Sequence, residues 1–256
     1  GGGGGTVKLS GACVGTTTHS GSTQTALIET GHARSSVTLD GGWNSTFSAQ
    51  DPISTPTTLD AASSGRVVLV ASGSAGSASL NNLTLTHGRI AGSGGGLLLY
   101  GPTTLHGVTV SNNAATNMHG GGIYATNAFT MTNSTVSGNT ASSGGGGLFF
   151  DGTVSYTLKN TTISGNTAAS DGGGIFLGHG TLRLASVTVT DNQAGSRASG
   201  INNDSGTVFV KNSIIAGNRV GASYDQDVYN LSTFNSLGGN LLGNGASADY
   251  DQAVSY

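Results

Sequence analysis

Asp151 and His179 are the residues of this 256-residue chain whose types and placing first suggest chemistry. The chain repeats itself every 26 or 27 residues, so the two fall at near-equivalent places in consecutive repeats, where a carboxylate and an imidazole could exchange a proton. Lys159 and Lys211 share one outward repeat position two repeats apart, and Arg183 lies near neither a paired carboxylate nor a cleft-forming insertion. Asp225 and Asp251 also fall one repeat apart, with Asp227 and Asp249 close by, an all-oxygen set of the kind calcium takes. Asp171 and Asp191 sit in turns. Yet no repeat position gathers two or three acids with a lysine or arginine, and the 12 acidic residues are scattered. Repeat lengths are uniform, with no long loop to wall a cleft. These groups are therefore expected to be solvated turn residues, catalysis is not expected, and calcium is the one cofactor to consider. Cys13 has no partner cysteine and is expected to be a buried structural thiol. Trp43 follows two glycines and is expected to pack at a bend, exposed stacking being the alternative.

Composition narrows the class before any element is placed. Charged residues make up 8% of the chain, glycine accounts for 45 residues and proline for three, which argues against both collagen and ordinary disorder. A net charge of −3 gives no basic footprint for nucleic acid. No apolar run approaches the roughly 20 residues of a membrane span. The opening GGGGG, without methionine or signal peptide, reads as a mature product or a fragment.

What positions the candidate residues is the repeat itself. Asn113, Asn139, Asn166, Asn192, Asn218 and Asn244 are separated by 26, 27, 26, 26 and 26 residues, with Gly88 where an earlier member would stand. Glycine clusters run in step: Gly94–Gly96, Gly120–Gly122, Gly145–Gly147, Gly172–Gly174, then Gly200 alone. Before each asparagine comes a short alternating stretch, such as VTVSN, STVSGN or TTISGN, with its apolar residue (Val110, Val136, Ile163) flanked by outward Thr and Ser; period two and β-branching predict a strand. A second strand follows each glycine cluster, at Leu97, Ile123, Leu148, Ile175 and Ile201, and a third ends near Leu105, Met131, Leu158, Leu184 and Val210. Three short strands per turn of about 26 residues predict an all-β solenoid, a single right-handed parallel β-helix of roughly nine or ten coils. The asparagines should stack as amide ladders at a bend, with glycine supplying the bend backbone. A second set, Asn82, Asn133, Asn160 and Asn212, keeps the same register. Residues 1–256 form one domain, with irregular coils over 1–64, regular ones over 65–244 and the start of a further coil over 245–256.

The strings GGGIY, GGGLF and GGGIF, each followed by N-[ST]-T-[VI]-S-G-N or a related string, resemble those of bacterial right-handed parallel β-helix surface proteins, among them the chlamydial polymorphic outer-membrane proteins. LDGGWNSTFSAQDP (39–52), GRVVLV (65–70) and NSIIAGN with FNSLGGNLLGN (212–244) resemble, in that order, the coils of secreted β-helix proteins of environmental bacteria. The resemblance implies a secreted or surface-attached protein, in some relatives an adhesin, and says little about activity. Two family features, an alanine-rich capping segment and a segment after the NLLGN coil, have no counterpart in these residues.

Two outward columns follow from the register. Thr84, Thr109, Thr135, Thr162 and Thr188 form one, beside Thr86, Ser111, Ser137, Ser164 and Thr190; such an array resembles ice-binding solenoids, though threonine simply suits exposed strands. Leu98, Tyr124, Phe149 and Phe176, ending at Asn202, form an apolar column expected to point outward as a contact surface for a glycan or protein. The expectation is a non-enzymatic extracellular structural or adhesive protein, with end-to-end self-association favoured because neither GGGGGTVKLSG nor YDQAVSY reads as a cap. A carbohydrate-active β-helix enzyme is the alternative.

Overall fold

The computed structural model describes residues 4–19, 21–29, 36–71, 76–221 and 226–243. They form a right-handed parallel β-helix of about seven turns. Each regular coil contributes one long strand, or the same strand in two pieces, to a 15-stranded sheet, a two-residue strand to a six-stranded sheet, and a three-residue strand to a nine-stranded sheet. One such coil reads Ile123–Ala125, then Phe129–Ser137, then Thr140–Ala141; the next reads Leu148–Phe150, Ser155–Ser164, Thr167–Ala168. The register is in step throughout: Ile123 opposes Leu148, Met131 opposes Leu158, Val136 opposes Ile163. The inward residues of all three sheets meet as one core, with Leu105, Ile123, Met131, Val136, Phe150, Tyr156 and Leu158 fully shielded.

The long strand bends at a fixed point between its halves. Asn82, Asn133, Asn160 and Asn212, the second asparagine set, all sit there with φ of 54, 52, 47 and 50°. Asparagine is among the few side chains that tolerate this left-handed region, which β-branched residues strongly disfavour.

The main asparagine series lies inside the wall. Asn113, Asn139, Asn166, Asn192 and Asn218 are at most 1% exposed. From Asn113 to Asn192, the backbone N–H and Nδ2 of each donate to Oδ1 of the next at 2.8–3.1 Å. The other Nδ2 hydrogen reaches the preceding coil, at Leu85, Val110, Val136, Ile163 and Val189 carbonyls, at 2.9–3.1 Å. Upstream, the Gly88 N–H donates to Asn113 Oδ1 at 2.7 Å. A buried corner would otherwise orphan one amide and one carbonyl per coil; the amide side chain serves both. Glycine is required directly against this ladder. A Cβ on Gly122 would come within 2.6 Å of the Gly147 carbonyl and 3.0 Å of Asn139 Nδ2. That contact links the glycine and asparagine periods: each needs the other to be small and polar at that place.

Three expectations are corrected here. Nine or ten coils were expected, but only residues from about 65 onward close all three faces, and the N-terminal residues contribute incomplete rungs such as Gly5–Lys8 and Ser36–Asp40. One rung there even adds an antiparallel hairpin, Thr17–His19 against Ser22–Glu29. Coil length is also not uniform. Residues 41–57 replace a one- or two-residue corner with a loop, pinned by Trp43 N–H to Leu9 O (3.3 Å), Gly42 N–H to Thr57 Oγ1 (2.9 Å) and Asn44 Oδ1 accepting the Ser48 N–H (3.0 Å). Cys13 is exposed, not buried. It pairs with Leu59, which is core, but among the described residues no strand stacks on the far side of Ala12–Val14, so the inward register position is uncovered.

Candidate functional site

The outer face of the nine-stranded sheet carries the aromatic column. Leu98, Tyr124, Phe149, Phe176, Asn202 and Tyr229 follow one another in strict register. Their phase is outward, since Ile123 and Ala125, Leu148 and Phe150, Ile175 and Leu177 all face the core. The geometry differs from an open stripe, however. Tyr124 stacks on Phe149 at 5.4 Å and 10°, and Phe149 on Phe176 at 4.6 Å and 8°. Rings on successive coils lie one strand spacing apart, so each covers the face of the next. His119 closes over Phe149 from the flank at 4.3 Å. Leu98 is left 7% exposed and Phe149 6%. The expected contact column is therefore also a second ladder, in which both faces of Phe149 and one face each of Tyr124 and Phe176 are packed on neighbouring rings.

His119 is held as a neutral ring. Its Nδ1 accepts the Gly144 N–H at 3.3 Å, which requires that nitrogen to be unprotonated. Burial lowers its pKa, and the Asp151 charge opposes this in part.

Asp151 lies beside the ladder just after Leu148–Phe150. Its Oδ2 accepts the Tyr124 hydroxyl at 3.0 Å and its Oδ1 lies 3.2 Å from His179 Nδ1. The Tyr124 hydroxyl is made a much weaker acid, first by burial, then by the Asp151 charge and hydrogen bond. The sequence placed Asp151 and His179 together; it missed Tyr124, whose separation from Asp151 is one full repeat, a signal available in the numbering. The Asp151–His179 pair is half-exposed on both sides. A carboxylate that holds Nδ1 offers Nε2 as a proton acceptor, the orientation a general base needs. Beneath it, inside the core, Tyr156 stacks on Phe150 at 4.2 Å, and burial pushes its hydroxyl up to about 12.

The remaining candidates are dispersed. Asp227 is buried at 4% and is drawn into the asparagine ladder: its Oδ1 accepts Asn218 N–H at 2.8 Å and Asn218 Nδ2 at 2.7 Å. Of the four calcium candidates, Asp227 thus has one carboxylate oxygen engaged by Asn218. Asn244, Asp225, Asp249 and Asp251 lie outside the described residues. Among the described residues no three His, Cys, Asp or Glu side chains converge as metal ligands. Trp43 is half-buried in the 41–57 loop, its Nε1 donating to Asp40 Oδ2 at 3.0 Å and its ring under Lys8 Nζ at 3.5 Å. Asp171 pairs with Arg197 on the adjacent coil through an isolated backbone β-bridge, and Asp191 is exposed in a turn at φ 54°. The hydroxyl columns align as expected, Thr109 with Thr135 and Ser111 with Ser137, and the first of them, through Thr162 and Thr188, ends at Ile214. Lys159, Arg183 and Lys211 stand on the outer face of the long strands.

A family model described as a right handed beta helix region matches residues 67–240. No curated protein and no solved structure was found to match the chain.

Proposed function

This chain belongs to the right-handed β-helix family, whose model spans more than half of it, and on that footing we propose that it is a non-enzymatic structural or adhesive rod of the bacterial exterior. The observation that carries this reading is the unbroken ladder from Gly88 to Asp227, in which each coil completes the hydrogen bonding of its neighbour. Such coupling favours a stiff axis over independently moving parts. A stiff axis holds the outer columns at fixed spacing, which suits many weak contacts with a repetitive surface. The extracellular setting follows from the resemblance of its repeats to those of secreted bacterial β-helix proteins. The test is to offer the full chain a panel of neutral and acidic polysaccharides, reading retention on immobilised polymer and the appearance of reducing or unsaturated ends. Retention without product is expected.

A carbohydrate-active enzyme is the second reading, favoured by one observation, the Tyr124–Asp151–His179 chain of hydrogen bonds. Product release that disappears in Asp151→Asn or His179→Ala would establish it and displace the first.

A further inference from the structure

The outer face of the long strands changes character part-way along the axis. One register position reads Thr132, Lys159, Ala185 and Lys211 on successive coils. The position two residues earlier reads Thr157, Arg183 and Phe209. Ala185 is thus a short side chain between two long ones, and the lysines stand as walls two strand spacings apart, roughly 10 Å. On the flank, the Arg183 guanidinium carbon lies 4.5 Å above the centre of the Phe209 ring. The recess so formed has a volume of about 310 Å³, with Leu237 completing its apolar side.

Three of the nine Lys and Arg residues surround this recess in a chain of net charge −3. Among the described residues none of these three cations forms an ion pair with a carboxylate. Three like charges round one hollow repel one another, and an anion seated among them relieves that repulsion. Phe209 is partly exposed and stacks with no other aromatic residue among the described ones; with Arg183 over its face, its edge is what it turns to the recess.

We propose that this recess binds a sulfated polysaccharide, with a sulfate ester over Ala185 between Lys159 and Lys211 and a sugar ring against Phe209 and Leu237. The shape selects the group. The hollow is one side chain deep, so the anion must stand off the polymer, as an ester sulfate does and a carboxylate fixed to the ring does not. Each lysine supplies a compact charge with three donors, and Arg183, its face held by Phe209, keeps its N–H edge for a further oxygen. The lysine stems and Phe209 offer the apolar contact that a pyranose C–H face takes. The proposal rests on the adhesive reading, to which it adds a ligand class and a place.

The experiment uses the full chain on surfaces of dextran sulfate, neutral dextran and a polyuronate, at low and physiological salt. Two variants accompany it, Lys159→Gln with Lys211→Gln, and Ala185→Glu, each with a thermal melt to show that the fold is intact. The expected result is preferential binding to dextran sulfate that weakens with salt. The double variant should lose roughly tenfold in affinity, the upper range for two exposed charge contacts, and Ala185→Glu at least as much. Equal binding to dextran sulfate and polyuronate, an unchanged affinity in the double variant, or tighter binding to anionic phospholipid vesicles or DNA would overturn it. Salt-insensitive retention on neutral dextran alone would remove this proposal and leave the adhesive reading standing; retention on none of the polymers would remove both.

Discussion

Asp227 takes the place of an asparagine at the end of the buried ladder: one carboxylate oxygen accepts both the backbone N–H and the Nδ2 of Asn218, at 2.8 and 2.7 Å. Everywhere upstream that acceptor is an amide oxygen of the residue one repeat further on, whereas Asp227 is only nine residues away. Among the described residues the ladder therefore ends on an acceptor supplied from a different part of the coil.

That substitution of roles predicts a sharp difference between two variants. Asp227→Asn keeps an acceptor oxygen and should change stability by no more than about 1 kcal/mol. Asp227→Ala strands two buried donors on Asn218 and should cost about 2–4 kcal/mol. Urea unfolding followed by circular dichroism distinguishes them, and equal losses would mean that Asp227 acts by its charge instead.

In mid-ladder the cost should be larger and transmitted. Asn166→Ala removes the acceptor of two Asn139 donors and the donor to the Val136 carbonyl. A loss of about 3 kcal/mol or more is expected. Hydrogen exchange should report it as faster exchange at Asn139 and its neighbours, one coil away from the substitution.

The stacked rings predict a stability effect where an open contact surface would give none. Phe149→Ala leaves a gap between Tyr124 and Phe176 and uncovers His119, and should cost about 3 kcal/mol, at the lower end for a phenylalanine because the column lies outside the main core. The combined Tyr124, Phe149 and Phe176 to Ser variant should melt well below the parent. An unshifted melting temperature would show the rings to be free surface groups.

Acidification should act through His119. Its folded pKa lies below the ordinary histidine value because of burial, so the unfolded chain binds the extra proton more readily. Stability from this group is complete above about pH 6.5 and is lost as pH falls through the lowered value. Protonation also removes the acceptor for the Gly144 N–H. Melting temperature from pH 7.5 to 5 should fall less steeply in His119→Gln than in the parent; parallel curves would exclude the role.

Much of this was legible in the sequence, for physical reasons specific to stacked coils. A coil that templates the next must repeat its side chains at one spacing, so Asn113 to Asn218, the glycine clusters and the αL asparagines announce the period, the strands and the bends. Outward and inward phase followed from alternation, and Asp151 was paired with His179 by counting alone. What counting could not supply is distance at right angles to the chain. Whether Tyr124, Phe149 and Phe176 present faces or edges depends on ring torsions settled by packing between coils and by His119 from a neighbouring corner. Cys13 has an inward register position, but burial there needs a strand on its far side. Asp227 looked like a polar turn acid beside other acids until the fold carried it nine residues back to Asn218. Lys159 and Lys211 were visible as a pair, but only the short side chain of Ala185 between them, with Arg183 laid on Phe209, turns two surface charges into a hollow. Periodicity is a property of one dimension and the sequence holds it entire; recesses, caps and covered faces are relations among three coils at once, and only the stacked structure decides them.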